Sequence, residues 1–186
     1  ELNSTAGALS IGNDNVDQAV NIATAGTRTL NVGINDGTDL TTINMLAPMT
    51  IDSTPEELSC SGITATFTAG ETLSRGEVCY FKVGDSKMWK AVATAAATSR
   101  CVAMAAEDMS AGAGLFLLQG FLTDNGTFPA YTIGGALYTP EAETVGENVP
   151  EQTAPDTNGD FVQIIGWAMT ANSVYFNPSN DIIEHA

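Results

Sequence analysis

The sequence contains a single histidine, His185, placed next to last. A Ser-His-Asp or Cys-His pair would have to be assembled on that terminal stretch, which is expected to fray. No Gly-x-Ser-x-Gly elbow, Lys-containing phosphate loop or His-Glu-x-x-His helix occurs. Paired carboxylates suited to glycoside cleavage could be drawn from the 22 acidic residues. That abundance makes any one pairing uninformative, and solvated surface charge is the preferred reading. No enzymatic activity and no cofactor are expected.

Two places could hold a metal. Asp156-Thr157-Asn158-Gly159-Asp160 sets oxygen ligands Asp156, Asn158 and Asp160 at alternating positions, as at the start of a calcium loop. Its sixth position is Phe161 where such a loop needs glycine, and its twelfth is Trp167 where it needs glutamate. A plain Asn-Gly turn is therefore preferred, and no metal is expected. The other candidate is His185, three copies of which could meet on a symmetry axis; a disordered tail is the preferred reading.

Recognition of a partner surface would fall to aromatic and basic side chains. Trp89, Phe128, Tyr131 and Tyr175 lie outside the evident core runs and could offer flat faces to sugars or proteins. Lys87 and Lys90 flank Trp89 and join it, Phe128 and Tyr131 as receptor-binding candidates. Trp167 follows Ile164-Ile165-Gly166 and reads as core. Residues 124–130 and 139–159 are the recognition loops expected of a rigid β scaffold, with inert loops or intersubunit packing as the alternative.

The formal charge is −16, which argues against nucleic acid and anionic membrane surfaces, because phosphate contacts need Lys and Arg. Five of the six cations, Arg75, Lys82, Lys87, Lys90 and Arg100, fall in one short stretch opposed only by Glu77 and Asp85. That stretch could attract anions; ordinary solvated strand charges are the preferred reading. No run of about 18 apolar residues is present, so no membrane insertion is expected. The opening Glu1-Leu2-Asn3-Ser4 has neither the basic start nor the apolar core of a secretion signal, and its lack of methionine suits a piece of a longer chain. Cys60, Cys79 and Cys101 form no Cys-x-x-Cys spacing and cannot all pair within one chain, so no disulfide framework is expected. Cys79 and Cys101 read as buried small hydrophobes.

The elements that must carry these residues differ along the chain. Four tetrads recur at spacings of 11, 10 and 13: Leu9-Ser10-Ile11-Gly12, Val20-Asn21-Ile22-Ala23, Leu30-Asn31-Val32-Gly33 and Ile43-Asn44-Met45-Leu46. Each sets two apolar side chains at i and i+2, the alternation of a half-buried strand. Turn formers such as Asn35-Asp36-Gly37 separate them. Ordering each residue costs about 1–2 kcal/mol, and burying a Leu or Ile returns only about 1.5–3 kcal/mol. Such strands need neighbours. Identical strands from several chains, winding about a common axis, satisfy this better than a single-chain solenoid. Leu9, Ile11, Val20, Ile22, Leu30, Val32, Ile43 and Met45 are the expected shared core.

In these units the chain resembles phage tail-fibre and head-fibre proteins, whose shafts carry tandem apolar-Asn-Ile-Gly units with Gly, Asn and Thr between them. The resemblance covers residues 9–46; Val20-Asn21-Ile22-Ala23 and Leu30-Asn31-Val32-Gly33 fit closely, while Met45-Leu46 departs, as where a repeat runs out. It implies a parallel homotrimer with interwoven β-structure at the virion surface, made in the host cytoplasm. It also implies contact with other virion proteins through the N-terminal side, and with a host-surface polysaccharide or protein through the head. The alternative is a capsid decoration or head-fibre role without a specific receptor.

Pro48, Asp52-Ser53-Thr54-Pro55 and Glu56-Glu57 break the repeat, so residues 1–57 are expected to form shaft and collar and residues 58–186 an all-β head. Eight apolar runs (63–68, 78–83, 88–95, 100–106, 114–122, 131–138, 161–169 and 173–177) predict an antiparallel β-sandwich or β-barrel. A helix across Ala91 to Met109 is the competing reading of that alanine-rich segment. Val92, Thr94 and Thr98 favour strands, with one helical turn at 107–111. Glycines that end strands, Gly120, Gly134-Gly135 and Gly166, resemble those of small β-barrel modules at fibre tips and in capsid decoration proteins.

Overall fold

The run Leu115-Phe116-Leu117-Leu118 can be covered only if both faces of its strand meet apolar neighbours, and the chain is arranged to provide this. The computed structural model describes residues 48–142 and 148–186. The expected shaft core, Leu9, Ile11, Val20, Ile22, Leu30, Val32, Ile43 and Met45, lies outside the described residues. The chain divides between Pro48 and Met49, earlier than the boundary expected at Leu58. The reason is that the collar is tied to the second unit: Leu58 N donates to Thr123 O at 3.0 Å, and Asn125 N donates to Glu57 Oε1 at 2.7 Å.

The described residues form strands and turns with no helix. The strands are β1 (Ser59–Ala69), β2 (Val78–Lys82), β3 (Lys87–Lys90), β4 (Ala103–Ala105), β5 (Gly112–Thr123), β6 (Ala136–Tyr138), β7 (Phe161–Val162), β8 (Ile164–Ala168), β9 (Ser173–Phe176) and β10 (Ile183–Glu184). Eight of them make one sheet in the order β1-β3-β2-β4-β5-β9-β8-β6, and β1 also pairs with β5. Hydrogen bonding therefore closes β1, β3, β2, β4 and β5 into a ring. Most pairings are antiparallel, but β1 meets β3 in parallel at Ala69 and Met88, so the sheet is mixed rather than purely antiparallel.

Strand β5 joins the two halves of the sheet. Its first half pairs with β4 through Phe116 and Leu117, and its last residues, Gly120 to Thr123, pair with β9. Phe116 packs on one side with Ala69, Cys79, Met88, Ala103 and Ala105, alternate residues of the ring strands. Leu117 and Leu122 pack on the other with Leu137, Ile165, Val174 and Phe176 of the outer strands. Burial on both faces explains the near-continuous apolar run. Where β1 and β5 cross most closely, Gly62 faces Gly120 with φ of +153° and +147°; a Cβ on Gly120 would stand 2.2 Å from Ser61 O. Only glycine fits this approach without strain.

Several expected strands shorten. Residues 91–102 form turns and extended links rather than strand, because Thr98 Oγ1 donates to Val92 O and Ala95 O and Ser99 N donates to Ala95 O. Local side-chain bonds of this kind compete with a ladder. Residues 107–111 form no helical turn; Leu73 and Met109 bridge instead. The run 161–169 is split at Gln163, whose buried side chain takes over the role of a backbone partner: Oε1 accepts from Cys101 N at 2.8 Å, and Nε2 donates to Cys101 O and Ser179 O at 3.0 and 2.7 Å.

Candidate functional site

The basic stretch is largely spent on internal contacts. Lys90, at the end of β3, pairs with buried Glu77 at 3.2 Å. Arg75 lies within 4.0 Å of Asp124 and donates through Nε to Ala106 O. Lys82 sits 4.2 Å over the ring of Trp89, and Arg100 Nη1 donates to Asn180 O at 3.2 Å. Lys87 is half-buried and stands directly across from Lys82 on the β2–β3 hairpin.

The receptor-binding candidates separate in the same way. Trp89 Nε1 donates to the Asp85 carboxylate at 3.0 Å, Lys82 covers the ring, and the indole lies so close to Gly70 that a Cβ there would collide with it. Trp89 is thereby engaged by Asp85, Lys82 and Gly70. Phe128 and Tyr131 are not surface aromatics but core, 5% and 6% exposed, with ring centroids 5.6 Å apart. Tyr131 Oη donates to Pro150 O at 2.7 Å, and burial raises its pKa. Tyr175 is half-buried between Phe121 and Trp167, with centroids 4.9 and 6.5 Å away.

Of the expected loop 124–130, residues 126–130 line a cleft of about 470 Å³ together with Tyr131 and residues 149–153 on the opposite wall. Asp124 shapes it: buried, its Oδ1 accepts from Gly126 N and Thr127 N, both at 2.9 Å. Glu151 on the opposite wall has its pKa raised by burial, with the Glu141 charge acting in the same direction and a backbone hydrogen bond from Glu141 opposing it.

The metal candidates stand apart. Asp160 N donates to Thr157 O at 3.0 Å, with Gly159 at φ +92°, which makes this segment a turn. Asp156 and Asn158 are exposed while Asp160 is buried. Among the described residues no group of three or more His, Cys, Asp or Glu could hold an ion. The tail bearing His185 is not frayed: β10 pairs with β7, His185 N donates to Asp160 O at 2.7 Å, and Gly159 N donates to His185 O at 2.8 Å. The His185 side chain itself is exposed. Cys79 and Cys101 are buried free thiols and Cys60 is a half-buried one.

Trp167, expected in the core, is instead 40% exposed. A bulge in β8 is the cause. Leu137 pairs with Gly166 but Tyr138 pairs with Ile164, so Ile165 is an extra residue turned into the core. Ile164 and Trp167, three apart, then share the outer face, where strict alternation would bury Trp167 with Ile165. A signal of this lies in Gly166, where a Cβ would meet Tyr175 O at 2.1 Å. Trp167 faces a cleft of about 610 Å³ whose apolar wall includes Ile164, Val162 and Ile183. The polar lining comes from Tyr138 and from Asn177, Asn180 and Asp181, on the segment that links β9 to β10.

The described residues form an all-β unit that carries open clefts. No family model, no curated protein and no solved structure matches the chain.

Proposed function

We propose that the protein is a non-enzymatic, homotrimeric fibre protein of a phage-like particle. The repeat of residues 9–46 winds with those of two other copies into a β-repeat shaft, residues up to 57 form the collar, and the head attaches to a receptor or glycan on the host surface. The observation that carries this reading is the tetrad repeat of residues 9–46, set directly before an all-β unit with its own core. Two apolar side chains per repeat cannot offset the ordering of some ten residues, so the segment calls for partners identical to itself. The head supports an attachment role by carrying open clefts framed by loops on a hydrogen-bonded scaffold. Three such heads on one axis would multiply a weak single-site affinity.

Light scattering on the full chain at micromolar concentration tests the assembly, with a mass three times that of the chain expected; a monomer overturns it. Adsorption of the labelled chain to a panel of bacterial strains tests the attachment. Trimers that bind no strain would instead support the capsid decoration role.

A further inference from the structure

We infer that the Trp167 cleft is a saccharide subsite for a neutral hexopyranose-type sugar, an inference that rests on the host-attachment reading of the head. The two indoles are in opposite states. Trp89 is hydrogen-bonded to Asp85, capped by Lys82 and packed on Gly70. Trp167 is 40% exposed, and its Nε1 makes no hydrogen bond among the described residues. Its ring lies nearly parallel to that of Tyr175, with centroids 6.5 Å apart and an interplanar angle of 21°.

A pyranose presents an apolar C–H face and a rim of hydroxyls, and an aromatic plane beside amide side chains matches both. The amide groups of Asn177 and Asn180 and the Asp181 carboxylate make no hydrogen bond within the described residues. Each amide both donates and accepts, as vicinal hydroxyls require. Their backbone is held: Asn177 N donates to Ile165 O at 2.9 Å, Asp181 N donates to Ser179 Oγ at 3.0 Å, and Asn180 O accepts from Arg100. Small-ligand clefts commonly measure roughly 300–1,000 Å³ and carry a few placed polar groups on apolar walls, and this cleft is about 610 Å³. Its lining includes one carboxylate, Asp181, and neither Lys nor Arg. With a chain charge of −16, that disfavours an acidic sugar on electrostatic grounds and favours a neutral one.

The test applies the full chain to an array of neutral hexose and N-acetylhexosamine oligosaccharides beside uronic-acid and sialylated ones, followed by calorimetric titration of the strongest binder. Binding to a neutral oligosaccharide is expected, weakened at least tenfold by Trp167→Ala and about threefold by Asn180→Ala, with the melting temperature unchanged. Trp89→Phe should leave the affinity within twofold. In that variant Trp167 is the sole indole, so its emission should shift on titration. Binding confined to acidic sugars, or neutral binding indifferent to Trp167→Ala, overturns this subsite while leaving host attachment standing. A silent array with adsorption to cells overturns a saccharide ligand and points to a protein receptor. A silent array without adsorption overturns the attachment reading itself.

Discussion

Glu77 is fully buried and meets three partners: Lys90 Nζ at 3.2 Å, Ser74 N at 2.8 Å and Asn148 N at 3.0 Å. Through Asn148 it fixes the segment that follows residue 147, because Asn148 Nδ2 donates to Ala91 O and Val78 O in turn. Removing one member of a buried pair exposes the rest to a low-dielectric interior and typically destabilises by about 3–5 kcal/mol. Glu77→Ala should lower stability by that order in urea unfolding, and Glu77→Gln, which keeps an acceptor, by less. An unchanged midpoint would remove the network as a stabilising element. A second residue-scale consequence concerns alkali. Burial pushes the Cys101 thiol up to about 12 and also raises the Cys79 thiol and the Tyr131 phenol. Each folded-state pKa stands above its unfolded value, so above the unfolded value the folded chain holds protons that the unfolded chain releases. Stability from these groups is full below roughly pH 8.5, where a free thiol ionises, and falls as the pH rises beyond it. Urea midpoints should decline from about pH 8.5 upward, and less steeply in Cys101→Ala; equal slopes would assign the decline to other groups.

At the scale of elements, what the sequence displayed was the pattern of side chains, and what it concealed was the pairing. The all-β class and the long strand β5 follow from runs such as Leu115 to Leu118 and from β-branched segments between glycines. Cys79 and Cys101 are buried, as their apolar neighbours implied. Residues 91–102 misled because Val92, Thr94 and Thr98 have β propensity, whereas the Thr98 hydroxyl satisfies carbonyls that a strand would have paired. Gln163 interrupts the expected run 161–169: its buried amide bonds Cys101 N and O where a neighbouring strand would have paired. The site was the least visible part. Phe128 and Tyr131 were expected at the surface because they stand in a loop rich in Asp, Asn, Gly and Pro, but Asp124 folds that loop back so that both rings enter the core. Trp167 was expected in the core because it follows Ile164-Ile165-Gly166 in an apolar run, and a single extra residue in β8 turns it outward. A register slip of one residue leaves no mark in composition, so faces of short strands cannot be assigned from periodicity alone.

For the whole molecule, the proposed trimer sets two opposing terms against each other. Each chain carries −16, so association brings like charges together, and the opposing gain must come from apolar burial. Among the tetrads, Ile22 and Val32 occupy the units that fit the repeat most closely. An aspartate at either position would place a carboxylate in an interior built from three copies of the same side chain. Three like charges at one level of an axis, cut off from water, cannot be offset by neighbouring apolar residues. Ile22→Asp combined with Val32→Asp should therefore abolish the trimer by light scattering. The head should survive, because both of its apolar clusters are drawn from residues beyond the repeat. Trp89 and Trp167 both belong to the head, so tryptophan emission reports on its unfolding separately from assembly. The expected result is a monomer whose emission-monitored urea midpoint is close to that of the parent chain. A trimer that persists through both substitutions would overturn the intertwined shaft, and a monomer whose head has also unfolded would show that head and shaft form one cooperative unit.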